Sequence, residues 1–460
     1  MKVLRAFRLS ALLALCAAPG FGQSADEALF DSPDAGVATE SASSTADVTG
    51  KLLGSDQKTV LFGEFHAQAT ALWADSDPAL SQSLSLDLGL TARPDKDLRI
   101  GAKGTWTFDP ASATGDFHVS EAFADFQGAD LAYFRVGKQF ISWGKGLYYS
   151  PADVLSLSSI NATNTMDPTY TGPAREGPTS LKASLETGAT GTYQAVISTE
   201  GAYAGSDVKF SGAGTWLLAG AELSVGGFYQ PSHDMSPRLF ATTVFKLFDL
   251  NCYTESVLLW GNDQKRLADD GNGGLVVVAN DGSLLTQQTI GFSYSKDDAE
   301  KRWTLNATGQ YYFNGTGASV PSLYRDRPFA LMALLRQGEL AAGDLRGYGS
   351  HYVAGTLGLS KIGGSTFSLA CSALASLSEG SWRASPRLSW VVSPDLTLGA
   401  AAGWCGGPSG SEYAPLGKVA AWQADAKIFR HLFVALSGPL PGSEAGIDPQ
   451  LRVTLEGFGF

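Results

Sequence analysis

The chain has 460 residues and a formal net charge of −12, and 17% of its residues are charged, against about 25% in ordinary soluble domains. The acidic balance excludes nucleic acid as a partner, because neutralising phosphates takes a basic surface. Glycine at 54 residues, aromatics at 11% and hydrophobic content at 44% exclude a disordered chain and a bundle of membrane helices, and leave a β-rich protein.

Lys2, Arg5 and Arg8 form a basic start, followed by an apolar stretch from Leu9 to Ala18. Gly20 and Gly22 then supply small residues for cleavage before Gln23. This three-part order predicts an export signal over 1–22, too short for the roughly 20 apolar residues of a membrane-spanning helix. Cys16 follows Leu15, which is too large for a lipoprotein cleavage site. Residues 23–57 are rich in Ala, Ser, Asp and Thr and read as a flexible acidic leader.

From residue 58 onward the pattern has a period of two. In 58–73, Leu61, Phe65, Ala67 and Ala69 oppose Glu64, His66, Gln68 and Thr70. In 98–108, Leu98, Ile100, Ala102, Trp106 and Phe108 oppose Arg99, Lys103, Thr105 and Thr107. Similar alternation marks 80–90, 288–294 and 303–313. Short connections are expected at 93–97, 128–130, 188–190, 249–250, 297–300, 362–364, 393–395 and 430–431. Longer ones are expected at 74–79, 109–116, 144–178, 200–206, 230–237, 261–286, 314–347, 406–417 and 438–448, with 378–381 short among them. Short turns at one end and long loops at the other predict an all-β protein. The fold expected over 58–460 is a transmembrane antiparallel up-and-down β-barrel of about 20 strands, range 16–22. No continuous apolar run of 18 follows residue 22 to arrest export. The chain ends in Phe458-Gly459-Phe460, which resembles the terminal signal of bacterial outer-membrane barrels. That resemblance implies a partnership with the barrel-assembly machinery through Phe460.

Residues 117–127 and 131–141 read as a hairpin across 128–130. Pairing through that turn sets Phe123 opposite Arg135, with Glu121 and Asp125 as diagonal neighbours, and predicts an internal charge cluster. The following segment, Gly137-x-Gln139-x-x-x-Trp143-Gly144, resembles a segment of poorly characterised porin-like outer-membrane proteins of Gram-negative and related bacteria. The resemblance implies a barrel that passes solutes, and brings no catalytic residues. By strand count, 144–178 is the third external loop, which several porins fold inward as a constriction. It carries Tyr148, Tyr149, Asn161, Asn164, Asp167, Arg175 and Glu176, residues suited to a wet passage. Together with Glu64, His66, Arg99, Lys103, Glu121, Asp125, Arg135 and Gln139 they are the pore-lining or constriction candidates.

A helix is expected within 329–342, where Ala330, Leu331, Leu334, Leu335 and Leu340 recur at helical spacing. Asp263, Asp269 and Asp270 in 261–286 lack regular calcium-ligand spacing and read as a solvated loop. Cys252, Cys371 and Cys405 show no metal pattern and read as small apolar side chains, with a Cys371–Cys405 disulfide left open. His66, His118, His233, His351 and His431 stand outside any catalytic motif, so neither enzyme activity nor a cofactor or metal is expected.

A barrel of about 16 to 18 strands already encloses an aqueous channel. The expected function is passive diffusion of small hydrophilic solutes through the bacterial outer membrane. The alternative is a surface-exposed adhesin or structural scaffold with a plugged lumen. The partners expected are outer-membrane lipid and small hydrophilic solutes, and a homo-oligomer is compatible with the sequence. The acidic excess gives a mild cation preference if it reaches the lumen.

Overall fold

The computed structural model describes residues 59–428 apart from 75–76, 96, 130, 156–176, 188–190, 200–207, 233–234, 279–281, 301, 319–321, 341, 346, 394–395 and 415–418. The expected signal, the leader and Phe460 lie outside the described residues. Hairpins open the chain: β1 (Thr59–Ala74), β2 (Asp77–Asp95), β3 (Leu98–Asp109), β4 (Thr114–Ala129) and β5 (Ala132–Lys138). After a long connection come β6 (Thr179–Glu186), β7 (Gly191–Thr199), β8 (Val208–Leu218), β9 (Ala221–Tyr229), β10 (Arg238–Leu247) and β11 (Leu250–Trp260). β12 (Arg266–Asp269) and β13 (Leu275–Val278) form a separate ribbon. The wall resumes with β14 (Leu284–Asp297), β15 (Thr304–Asn314), β16 (His351–Ser360) and β17 (Phe367–Ser376). It ends with β18 (Ser381–Ser393), β19 (Leu396–Gly406) and β20 (Val419–Ile428).

The ribbon aside, 18 strands form one antiparallel sheet, each paired with its neighbours in the chain. β20 returns to pair with β1, Phe65 opposite Ile428 and Trp73 opposite Ala420, so the sheet closes on itself. Closure removes both edges and satisfies the backbone, as a sheet surrounded by lipid requires. The strands expected beyond 430–431 lie outside the described residues, and the ring closes without them.

The two faces differ as the sequence alternates. In β11, Tyr253, Glu255, Val257 and Leu259 are buried while Ser256, Leu258 and Trp260 are exposed. Around the wall the outward positions carry large apolar side chains, among them Val136, Leu181, Ile197, Phe210, Leu239, Ile290, Leu357, Leu369 and Leu388. Ile290 is 57% and Leu357 58% exposed, far too much apolar surface over a whole barrel for contact with water. The barrel therefore spans a membrane, with lipid against this face. Among the described residues no helix is long and apolar enough to cross one.

The connections keep the expected parity. One end has the turns at 219–220 and 248–249, and the other has the connections 139–178, 261–283 and 315–350. The connections at 74–79 and 109–116 are shorter than expected. Ala74 pairs with Asp77 and Trp73 with Pro78, and Asp109 pairs with Thr114. Asp77 and Pro78 open a strand rather than a loop. At the long-loop end, β12 and β13 pack with the helices Ser322–Asp326 and Pro328–Gln337 around Leu267, Leu275, Leu334, Leu340 and Tyr348. The second helix begins at a proline and ends at Gly338 in the left-handed conformation, and it falls within the expected helical stretch.

Candidate functional site: the lumen and its inward segment

Between β5 and residue 156 the chain leaves the wall and crosses the barrel interior. The start is set by Gly137, whose φ of +123° suits glycine and whose missing Cβ would lie 2.2 Å from the Ala122 carbonyl oxygen. Gln139 is fully buried, and its Nε2 donates to the carbonyls of Arg135 and Ser180, each at 3.2 Å. A compact knot follows. Asp153 Oδ1 accepts from Trp143 N at 2.9 Å, Gly144 N at 2.8 Å and Ser142 Oγ at 2.6 Å. A Cβ on Gly144 would lie 1.7 Å from Ser150 Oγ, so the knot closes only around glycine. Trp143 Nε1 donates to Gln194 Oε1 at 2.8 Å, and its ring stacks on Phe240 at 5.4 Å.

Two wall side chains, Glu255 and Gln310, each take several of the segment's backbone groups. Glu255, 1% exposed on β11, accepts from the backbone N–H groups of Lys145 and Gly146, from Ala152 N at 3.1 Å and from Ser150 Oγ at 3.1 Å. Gln310 on β15 accepts from Leu147 N, Tyr148 N and Tyr253 Oη, each at 2.9 Å, and its Nε2 donates to the Tyr149 carbonyl at 2.7 Å. Tyr148 is fully buried, with its hydroxyl against Thr308 at 2.9 Å and against Thr356. Tyr149 stacks on Tyr312 at 4.8 Å and shares a hydroxyl contact with Tyr413. Residues 139–155 thus seal one side of the lumen against β10 to β17.

The opposite side stays polar. Asp125 on β4 receives Arg135 Nη2 at 3.0 Å and Arg99 Nε at 2.8 Å. Both guanidiniums lie over the Phe123 ring, at 4.1 Å for Arg135 and 5.7 Å for Arg99. The expected register is corrected by two residues: Arg135 faces Asp125 directly, and Phe123 faces Gly137. β4 runs on to Ala129, which pairs with Ala132, so the hairpin turns later than 128–130; an irregularity between Gln127 and Ala129 offsets one residue of the difference. Glu121 pairs with Lys103 at 3.0 Å instead of joining Arg135. On β1, His66 is buried and meets Asp87 at 3.1 Å, and Asp87 also accepts from Thr105. The Glu64 backbone pairs with Asp87, while its side chain lies outside the described residues. So do Asn161, Asn164, Asp167, Arg175 and Glu176.

A cavity of about 480 Å³ opens beside the Arg–Asp cluster toward the short-turn end, lined by Arg93, Asp97, Arg99, Arg135, Lys182 and Gln194 among others. Lys182 sits directly across from Arg135, and no side chain among the described residues pairs with its ammonium.

No protein family and no curated protein sequence matches the chain. Solved structures do resemble it. The outer membrane protein opdK from Pseudomonas aeruginosa is 8% identical with a TM-score of 0.47, over 80% of this chain and 98% of that one. OccK2 (OpdF) from Pseudomonas aeruginosa, in complex with glucuronate, is 11% identical with a TM-score of 0.47, over 82% and 98%. OccAB1 from Acinetobacter baumannii is 10% identical with a TM-score of 0.47, over 82% and 97%.

Several residues that build the lumen escape the sequence reading. Glu255, Gln310 and Asp153 hold the inward segment, and Lys182, Arg383 and Arg387 add cations to the inner face. Arg383 and Arg387 lie on the parity of β18 opposite the exposed Trp382, Leu388 and Trp390. Strict alternation was the available signal for Glu255, Lys182, Arg383 and Arg387. All three described cysteines are free. Cys371 faces outward on β17 and Cys405 inward on β19, with β18 between them, so the Cys371–Cys405 disulfide does not form.

Proposed function

We propose that the protein is a bacterial outer-membrane channel for passive diffusion of small hydrophilic solutes, narrowed by the segment 139–155. One observation carries this reading. A closed barrel with an apolar outer belt encloses a charged, hydrogen-bonding wall, and the described part of the inward segment lies against one side of it. Eighteen strands enclose more volume than wall side chains alone can fill. Solutes pass along the side that carries Arg99, Lys103, Glu121, Asp125, Arg135 and Lys182, while Tyr148 and Tyr149 close the other. Charges of both signs at hydrogen-bonding reach suit hydrated polar solutes and disfavour apolar ones. Delivery begins with removal of 1–22, and insertion uses the barrel-assembly machinery through Phe460.

Planar-bilayer recording on the purified, folded protein tests the reading. Stepwise currents are expected. A folded protein that stays silent would overturn the channel and leave the scaffold or adhesin with a plugged lumen.

A further inference from the structure

The lipid-facing wall is not uniformly apolar. On β10, β11 and β14 the outward positions form cross-strand rows. Ala241 pairs with Ser256, which pairs with Gln288, and Thr243 pairs with Thr254, which pairs with Ile290. Thr286, opposite Leu258, extends the set. Ser256 and Gln288 are exposed, and Thr243, Thr254 and Thr286 half-buried. Among the described residues none of these five side chains has a hydrogen-bond partner.

Their depth makes this costly. On the same strands Leu239, Leu258 and Trp260 lie toward the long-loop end, and Phe245 and Phe292 toward the short-turn end, so the polar rows sit within the apolar belt. Elsewhere on the wall the outward positions are apolar, as with Leu181, Leu185, Tyr193 and Ile197 on β6 and β7. An amide and hydroxyls facing hydrocarbon lose the hydrogen bonds that water would give them. Lipid chains supply none, and headgroups lie too far from the belt's middle.

We propose that this face is the docking surface for a second copy of the chain, paired about a two-fold axis close to Gln288. The carboxamide carries both donors and an acceptor, and hydroxyls do the same, so the patch is complementary to itself. An isologous pairing sets each Gln288 against the Gln288, Ser256 or Thr254 of the other copy and satisfies groups that one barrel leaves open. Ala241 and Ser256 are small and let the two walls approach. No charged side chain intervenes in these rows. The inference stands on the membrane-spanning fold and not on the solute reading, so bilayer currents and the association state report on them separately.

The test is cross-linking of the full-length protein in lipid vesicles. In a background carrying Cys252→Ala, Cys371→Ala and Cys405→Ala, Ser256→Cys is compared with Ile197→Cys on β7, four strands away, each confirmed as folded by heat-modifiable migration. Oxidation is expected to give a covalent dimer with Ser256→Cys and none with Ile197→Cys. Equal yields would mark random collision and overturn the proposal, as would no dimer with Ser256→Cys. Sedimentation in mild detergent gives an independent reading. The unmodified protein is expected at twice the chain mass and Gln288→Leu at the mass of one chain. An unmodified protein sedimenting as a single chain would overturn the proposal.

Discussion

Glu255, with Gln310, holds the inward segment to the wall. Its carboxylate accepts from three backbone N–H groups and one hydroxyl of a segment more than a hundred residues earlier in the chain. Those donors have no water to turn to, and an unsatisfied buried donor costs about 1–3 kcal/mol. Glu255→Ala is therefore expected to lower stability in a urea titration by about 2–4 kcal/mol, and Glu255→Gln, which keeps one acceptor, by less. Single-channel records of Glu255→Ala should show a larger, noisier current, because the released segment no longer narrows the passage. Unchanged current and stability would remove Glu255 as an anchor. Gly144 gives a second check from the same knot. Gly144→Ala drives a methyl group into Ser150 Oγ and Asp153 and is expected to cost about 1–3 kcal/mol by overpacking. The Gly137, Gln139, Trp143 and Gly144 pattern is visible in the sequence, yet the reason for it is not. Each residue answers to a partner far along the chain: Ala122, Ser180, Gln194 and Phe240.

At the scale of elements, alternation made the wall legible. Leu305, Ala307, Tyr311 and Phe313 against Thr304, Asn306, Thr308 and Gln310 already separate lipid from lumen. Register was less legible. Counting back from 128–130 misplaces Arg135 by two residues, because Gly128 and Ala129 read as turn residues and yet belong to β4. The external ribbon was illegible for another reason. Its four-residue strands are bounded by Asp and Gly, and they are stabilised by a helix some fifty residues later. Arg327 donates to the Gly274 carbonyl at 2.7 Å and pairs with Asp269. That ion pair, with the Gly271 N–H, holds the Asp269 carboxyl down from its ordinary 3.8 to about 2. A depressed carboxyl stabilises the folded cap fully above the ordinary value and loses that contribution as pH falls through about 2. The protection factors of the ribbon amides, observed exchange set against the intrinsic rate at each pH, are accordingly expected to be high at pH 5 and lower near pH 2. Asp269→Asn should show lower protection at pH 5 and converge on the original protein near pH 2. Equal protection of the original protein at the two values would mean that the pair does not tie ribbon to helix.

For the whole molecule, the distribution of charge decides what a channel of this kind would prefer. A net charge of −12 read as a single number points to cations. Asp26, Glu27, Asp31, Asp34, Glu40 and Asp47 belong to the expected leader, and Asp263, Asp269 and Asp270 to an external connection. On the described inner wall several acids are engaged, while Glu186 lines the cavity. Asp125 is shared by two arginines, Glu121 meets Lys103, and Glu222 meets Lys145 at 2.6 Å. Lys182 lies beside the 480 Å³ cavity without an acid of its own. In a narrow, low-dielectric passage a charge of this kind bears on which ion passes. A reversal potential measured across a KCl gradient reports it. Lys182→Glu should move that potential toward potassium. Arg135→Ala, which leaves Asp125 shared with Arg99 alone, should move it less in the same direction. A shift with Lys182→Glu and none with a charge reversal on the external ribbon would place the route along β4 to β6. No shift with either inner substitution would exclude that side of the lumen as the path.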